Sequence, residues 1–121
     1  MERFRRFRHS FAHAARGLAY VVRQEKNFQN ELVVAILVIM AMLYLQVTRA
    51  EMIVLSMVIA LVLIMEILNT IMERVVDILK PRIHPYARVI KDLMAASVLL
   101  SAILALIIGF IIFIPYIIKT I

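Results

Sequence analysis

Met52-Ile-Val-Leu-Ser-Met-Val-Ile-Ala-Leu-Val-Leu-Ile-Met65 runs directly into Glu66-Ile-Leu-Asn69-Thr70-Ile-Met-Glu73-Arg74-Val-Val-Asp77. The first half has Ser56 as its single polar residue, and read with its flanks it is a membrane-spanning helix. At about 100° per residue, Glu66, Asn69, Glu73 and Asp77 fall within roughly 80° of one helix face, with Thr70 beside them. The rest of that helix is Ile, Leu, Met and Val, apart from Arg74 at the edge of the polar face. Lipid offers a carboxylate neither counter-charge nor water. Such a face must look at other helices, a wet cavity or a cation.

The composition points the same way. Of 121 residues, 64% are hydrophobic, far more apolar surface than a soluble core of this size can bury. The expectation is an all-α integral membrane protein forming one domain over residues 1–121. With no cysteine, disulfides, thiolate zinc sites and cysteine nucleophiles are excluded. Gly17 and Gly109 are the only glycines, so neither a Walker A loop nor a GxGxxG turn can be built. Phosphate chemistry here has to rely on carboxylate-held metal and basic side chains.

The net charge of +6 is a matter of topology rather than of nucleic-acid binding. Arg3, Arg5, Arg6, Arg8, Arg16, Arg23 and Lys26 precede the first apolar run. Arg74, Lys80, Arg82, Arg88 and Lys91 lie between the second run and the third, which leaves Arg49 and Lys119 for the opposite side. That distribution predicts a multi-pass protein with its N-terminus in the cytoplasm and its C-terminus outside.

Residues 1–28 carry Phe4, Phe7, Phe11, Leu18 and Val22 at helical spacing with arginines between them, predicting an amphipathic helix on the anionic membrane surface. Glu25 and Glu31 bracket a polar patch ahead of the run Leu32–Leu45. Membrane helices are expected over about 31–47, 50–79 and 86–118. Thr48 and Glu51 have the spacing of a capping box at the start of the second span. Pro81 and Pro85 break the chain before the third, whose Ala95, Ala96, Ser97, Ser101, Ala102 and Ala105 give it a side of small residues for close packing.

Three readings of the Glu66–Asp77 face stand side by side on spacing alone. It is a metal-dependent phosphotransferase site, with carboxylates holding Mg²⁺ and another acting as base. It is an ion pathway lined by acids in an oligomer. Or it is a non-enzymatic packing face, with Asn69 and Thr70 as interhelical hydrogen-bond partners and the carboxylates paired to Arg74, Lys80 or Arg88.

The pattern E-x-x-N-T-x-x-E-x-x-V-D at Glu66–Asp77, followed by His84-Pro85 and by Lys91-Asp92 ahead of an Ala-rich helix, resembles the prokaryotic diacylglycerol kinase family, which includes the undecaprenol kinases. The resemblance extends upstream through Glu31, Glu25 and Gly17, over nearly the whole chain. It implies a homotrimer of three-helix protomers in a bacterial cytoplasmic membrane, with active sites shared between protomers at the cytoplasmic boundary. The substrates it implies are ATP, with Mg²⁺, and a membrane lipid alcohol. The His84-Pro85 loop and the N-T pair look more like the undecaprenol branch.

By the same resemblance, Glu66 would be the general base, and Glu25 and Glu73 the Mg²⁺ ligands. Lys91, Asp92 and His84 would contact the nucleotide, with Arg6 a further candidate. Glu31, Asn69 and Asp77 would shape the site and its lipid-binding part. Two positions depart from the family pattern: Ile71 stands where an Ala is usual, and Ala95-Ala96-Ser97 lacks a Gly that often appears there.

Overall fold

The structure is a computed structural model and describes residues 1–79 and 85–121. Among them are four helices: α1 (Glu2–Gln24), α2 (Lys26–Leu45), α3 (Arg49–Leu79) and α4 (Pro85–Thr120). Residues 80–84, and with them the expected break and His84, lie outside the described residues. Helices α2, α3 and α4 are each long and apolar enough to cross a membrane. At ~1.5 Å per residue, α2 just matches a ~30 Å hydrocarbon core, while α3 and α4 exceed it by about 15 Å or more. The polar end of α3 therefore has length to reach past the bilayer boundary.

The chain turns between α1 and α2 at one residue. Glu25 is extended (φ −106°, ψ 110°), at once the end of α1 and the start of α2. No glycine or proline marks the bend. Its stabiliser is Gln29, whose Nε2 donates to the carbonyls of Val22 (2.8 Å) and Arg23 (3.3 Å), groups that the end of α1 leaves unsatisfied. Helix α2 thus begins at Lys26, ahead of the expected start near 31, and Phe28 is already buried. Phe28, Ala35 and Met42, seven apart, form its buried stripe.

At the other end of the span, Gln46 closes α2 in the left-handed region (φ 51°), the only non-glycine to do so among the described residues. The predicted capping box is formed: Glu51 N–H donates to Thr48 Oγ1 at 3.2 Å, and Thr48 N–H donates to Glu51 Oε1 at 3.0 Å. The Tyr116 hydroxyl of α4 donates to the same Glu51 oxygen. Beneath this clamp, Met42, Val47, Leu55 and Ile112 make the apolar core, flanked by Val38, Ile108 and Phe113. Lipid is as apolar as these side chains, so close packing and hydrogen bonds, rather than water exclusion, hold this end together.

Helix α3 packs chiefly on α4, less on α2, while α1 touches α2. Even in α3, only 22% of the apolar window is buried, so lipid or further copies must cover the rest. Ile71 and Ala96, the positions that depart from the family pattern, are both exposed in a single copy.

Candidate functional site

The buried face of α3 reads Leu55, Val58, Val62, then Glu66, Asn69, Thr70 and Val76. One continuous stripe changes from apolar to polar at Glu66, on the face already turned toward its neighbours. That is why Glu66, only 3% exposed, sits inside the bundle rather than against lipid. Thr70 Oγ1 donates to the Glu66 carbonyl (3.1 Å), and Asn69 Nδ2 donates to Glu73 Oε1 (3.3 Å). Both bonds stay within α3. Within one copy, then, neither residue joins two helices by these bonds.

Three other carboxylates gather around Glu66. The charges of Glu31, Glu73 and Glu25 all bear on it. Glu31 reaches the cluster because it lies between Phe28 and Ala35 on the buried face of α2. Glu25 reaches it because the bend falls at that residue. Its side chain is 15% exposed, which departs from an ordinary solvated carboxylate at a helix start. Arg74 Nη2 is paired with Glu25 Oε1, and Arg74 Nε donates to the Tyr20 hydroxyl of α1 at 3.2 Å. Four acids, one guanidinium and one phenol thus converge from three helices.

A second polar contact joins α3 to α4: Lys91 Nζ donates to Asp77 Oδ1 at 3.0 Å, with both side chains well exposed. Asp92 and Arg6 are exposed and are not drawn into the cluster of a single copy. Tyr20 is the residue that the sequence reading passed over. Its signal was a hydroxyl-bearing aromatic lying off the Phe4–Phe7–Phe11–Leu18 stripe.

The donor chemistry can be tested against Mg²⁺. Among the described residues, no three acidic or histidine side chains stand close enough to hold a metal unaided. Mg²⁺ is ordinarily held by one or two carboxylates, with phosphate oxygens and water completing its shell. Glu25 and Glu73, hard-oxygen donors that both act electrostatically on Arg74, fit that limited role. The guanidinium now on Glu25 shows that a cation is already accommodated there.

An apolar groove of about 680 Å³ lies between α2, α3 and α4, and Glu31 is the member of the cluster that lines it. Ala35, Val38, Val58, Val62, Ala102 and Gly109 are among its walls, and Glu31 is its only charged lining residue among the described residues. A β-carbon placed on Gly109 would meet nothing within 4 Å, so α4 has open space at that position.

Comparison with known proteins extends the pattern. The family model described as prokaryotic diacylglycerol kinase matches residues 12–113, a span that contains every candidate residue except Arg6. The chain is 34% identical over 110 residues to the undecaprenol kinase of Bacillus subtilis, covering 91% of this chain and 89% of that protein. It is 37% identical over 101 residues to the diacylglycerol kinase of Synechocystis sp., covering 83% of this chain but only 58% of that protein.

Proposed function

The chain belongs to the prokaryotic diacylglycerol kinase family, and on that premise we propose that it passes the γ-phosphate of MgATP to the hydroxyl of a long-chain membrane alcohol, undecaprenol before diacylglycerol. The near end-to-end match to an undecaprenol kinase supports that order. As a member of the family it is a phosphotransferase to a lipid alcohol and a multi-pass membrane protein. The observation that carries the reading is the buried Glu66 under the charges of Glu25, Glu31 and Glu73, with Glu31 also lining an apolar groove.

In this reading the groove holds the lipid chain and delivers its hydroxyl to Glu66. Glu66 takes the hydroxyl proton while the alcohol oxygen bonds to the γ-phosphorus. The bond from that phosphorus to the β–γ bridging oxygen breaks, ADP leaves, and the proton passes from Glu66 to water at the cytoplasmic mouth. Glu25 and Glu73 hold Mg²⁺, which when bound neutralises phosphate charge. Asn69, one turn from Glu66 on the same buried face, holds Glu73 in place through its amide. Glu31 guards the groove mouth, Asp77 positions Lys91, and Lys91, Asp92, His84 and Arg6 contact the nucleotide.

The residues 1–121 act as one domain and the working unit is a homotrimer. Two observations support this: the spans leave most of their apolar surface uncovered, and Arg6 and Asp92 stand outside the cluster of one copy, as they would if a site is shared between copies. Helix α1, with Phe4, Phe7 and Phe11 exposed, lies on the inner leaflet, with the N-terminus cytoplasmic and the C-terminus outside. The test is kcat/KM for undecaprenol and for diacylglycerol, offered separately in mixed micelles with MgATP. A higher value for undecaprenol is expected, and a preference for diacylglycerol would reverse the order proposed.

A further inference from the structure

Among the described residues, Arg74 is the basic side chain that pairs with the glutamate cluster. Its guanidinium is shared between two helical elements: Nη2 on Glu25 at the α1–α2 bend, and Nε on Tyr20 of α1. Glu25 is nearly enclosed, at 15% exposure, whereas Arg74 is 45% exposed. The partner that can move is therefore the arginine. The charge of Glu73, its neighbour in sequence, acts on it as well. Arg74 is thus paired with one of the two carboxylates read as metal ligands and adjacent in sequence to the other, and the inference rests on that reading.

We propose that Arg74 is an exchange cation: it neutralises Glu25 when no metal is bound and passes to the phosphate oxygens of the nucleotide when the divalent cation takes Glu25. The physical reason is competition. A guanidinium and a divalent cation on one carboxylate repel each other, so binding the metal weakens the arginine's hold. The nucleotide that arrives with the metal brings several negative oxygens, and the planar guanidinium fork suits them better than an ammonium does. Tyr20, bonded to Nε alone, keeps the stem in place while the terminal nitrogens change partner. A mere strut between α1 and α3 behaves differently: cutting it loosens Glu25 and weakens metal and nucleotide together. The exchange gives opposite signs for the two ligands.

The experiment measures two affinities on the purified full chain in micelles: Mn²⁺ alone, read by its electron paramagnetic resonance signal, and a non-hydrolysable ATP analogue with Mg²⁺. Arg74→Gln is expected to bind Mn²⁺ alone about twofold to fivefold more tightly than the parent, the range for releasing a partly exposed ion pair. The same variant is expected to bind the nucleotide analogue about fivefold or more weakly, through loss of a charge-assisted phosphate contact. Arg74→Lys, which keeps the charge, is expected to retain the parent's Mn²⁺ affinity yet lose part of the nucleotide affinity. It also keeps the test decisive where Arg74→Gln does not fold.

Equal or weaker Mn²⁺ binding by Arg74→Gln, or unchanged nucleotide affinity in both variants, overturns the exchange. Glu25→Gln separates this failure from that of the underlying reading. If it loses Mn²⁺ while Arg74→Gln behaves as the parent, the exchange alone is wrong. If it binds Mn²⁺ like the parent, the metal assignment of Glu25 falls and takes the exchange with it.

Discussion

Replacing Glu66 with Gln should separate stability from activity, and in opposite directions. The side chain is 3% exposed and shares its surroundings with Glu31, Glu73 and Glu25. At an effective dielectric of about 20, each like charge within ~10 Å costs on the order of 1–2 kcal/mol. Arg74 offsets part of this, and solvent at the open end of the site screens more, leaving a net repulsion of about 1 kcal/mol. Glutamine keeps the shape and removes the charge, so the variant should fold and assemble at least as well as the parent. Activity should move the other way. Loss of a positioned general base lowers kcat by about 10²–10⁴-fold, equivalent to roughly 3–5 kcal/mol in the barrier. The assay pairs thermal dissociation in micelles with initial rates of phosphate transfer at saturating lipid. A kcat within threefold of the parent would refute the role of Glu66 as base. A clear fall in stability would refute the reasoning about repulsion, since it would mean the carboxylate holds the bundle together.

The remaining predictions concern the parts around it. Thr48→Ala removes one half of the capping box and should lower stability by about 1 kcal/mol, read as an earlier thermal midpoint with the transfer rate at low temperature unchanged. Lys91→Met should raise the KM for ATP about tenfold through loss of a charged phosphate contact, with a smaller change in kcat. A double-mutant cycle for Asp77 and Lys91 should give a coupling below about 1 kcal/mol, because both groups are well exposed. Chelation of divalent cations should abolish transfer, and Glu73→Gln should shift the Mg²⁺ dependence of the rate to higher concentration without disrupting assembly.

The three membrane spans were plain from the sequence because membrane helices need long apolar runs, and nothing else in a chain of this size requires them. The capping box at Thr48 and Glu51 was equally legible, since it depends on two residues at a fixed spacing. The bend at Glu25 was not. It is made by an extended backbone at a residue with no special conformational preference, and stabilised by Gln29 from the following helix, a contact that local pattern does not announce. The polar face at Glu66 could be placed on one side of α3, but not which way that side looked. Only packing shows that it continues the Leu55–Val58–Val62 stripe. Spacing also left phosphotransfer, ion conduction and mere packing undivided. Family membership, rather than any distance in the site, decides among them in favour of a kinase. The pairing of Arg74 with Glu25 and Tyr20 joins residues about fifty positions apart, beyond the reach of helical periodicity.

The central claim is that the glutamate cluster around Glu66 moves phosphate from ATP to a lipid alcohol. Its most direct measurement uses γ-labelled ATP, Mg²⁺ and undecaprenol or diacylglycerol in mixed micelles, with the label followed into the lipid extract. The account predicts labelled lipid phosphate from the parent chain and none above background from Glu66→Gln. Label that stays wholly in the aqueous phase with both lipids, from a folded and assembled parent protein, would contradict it.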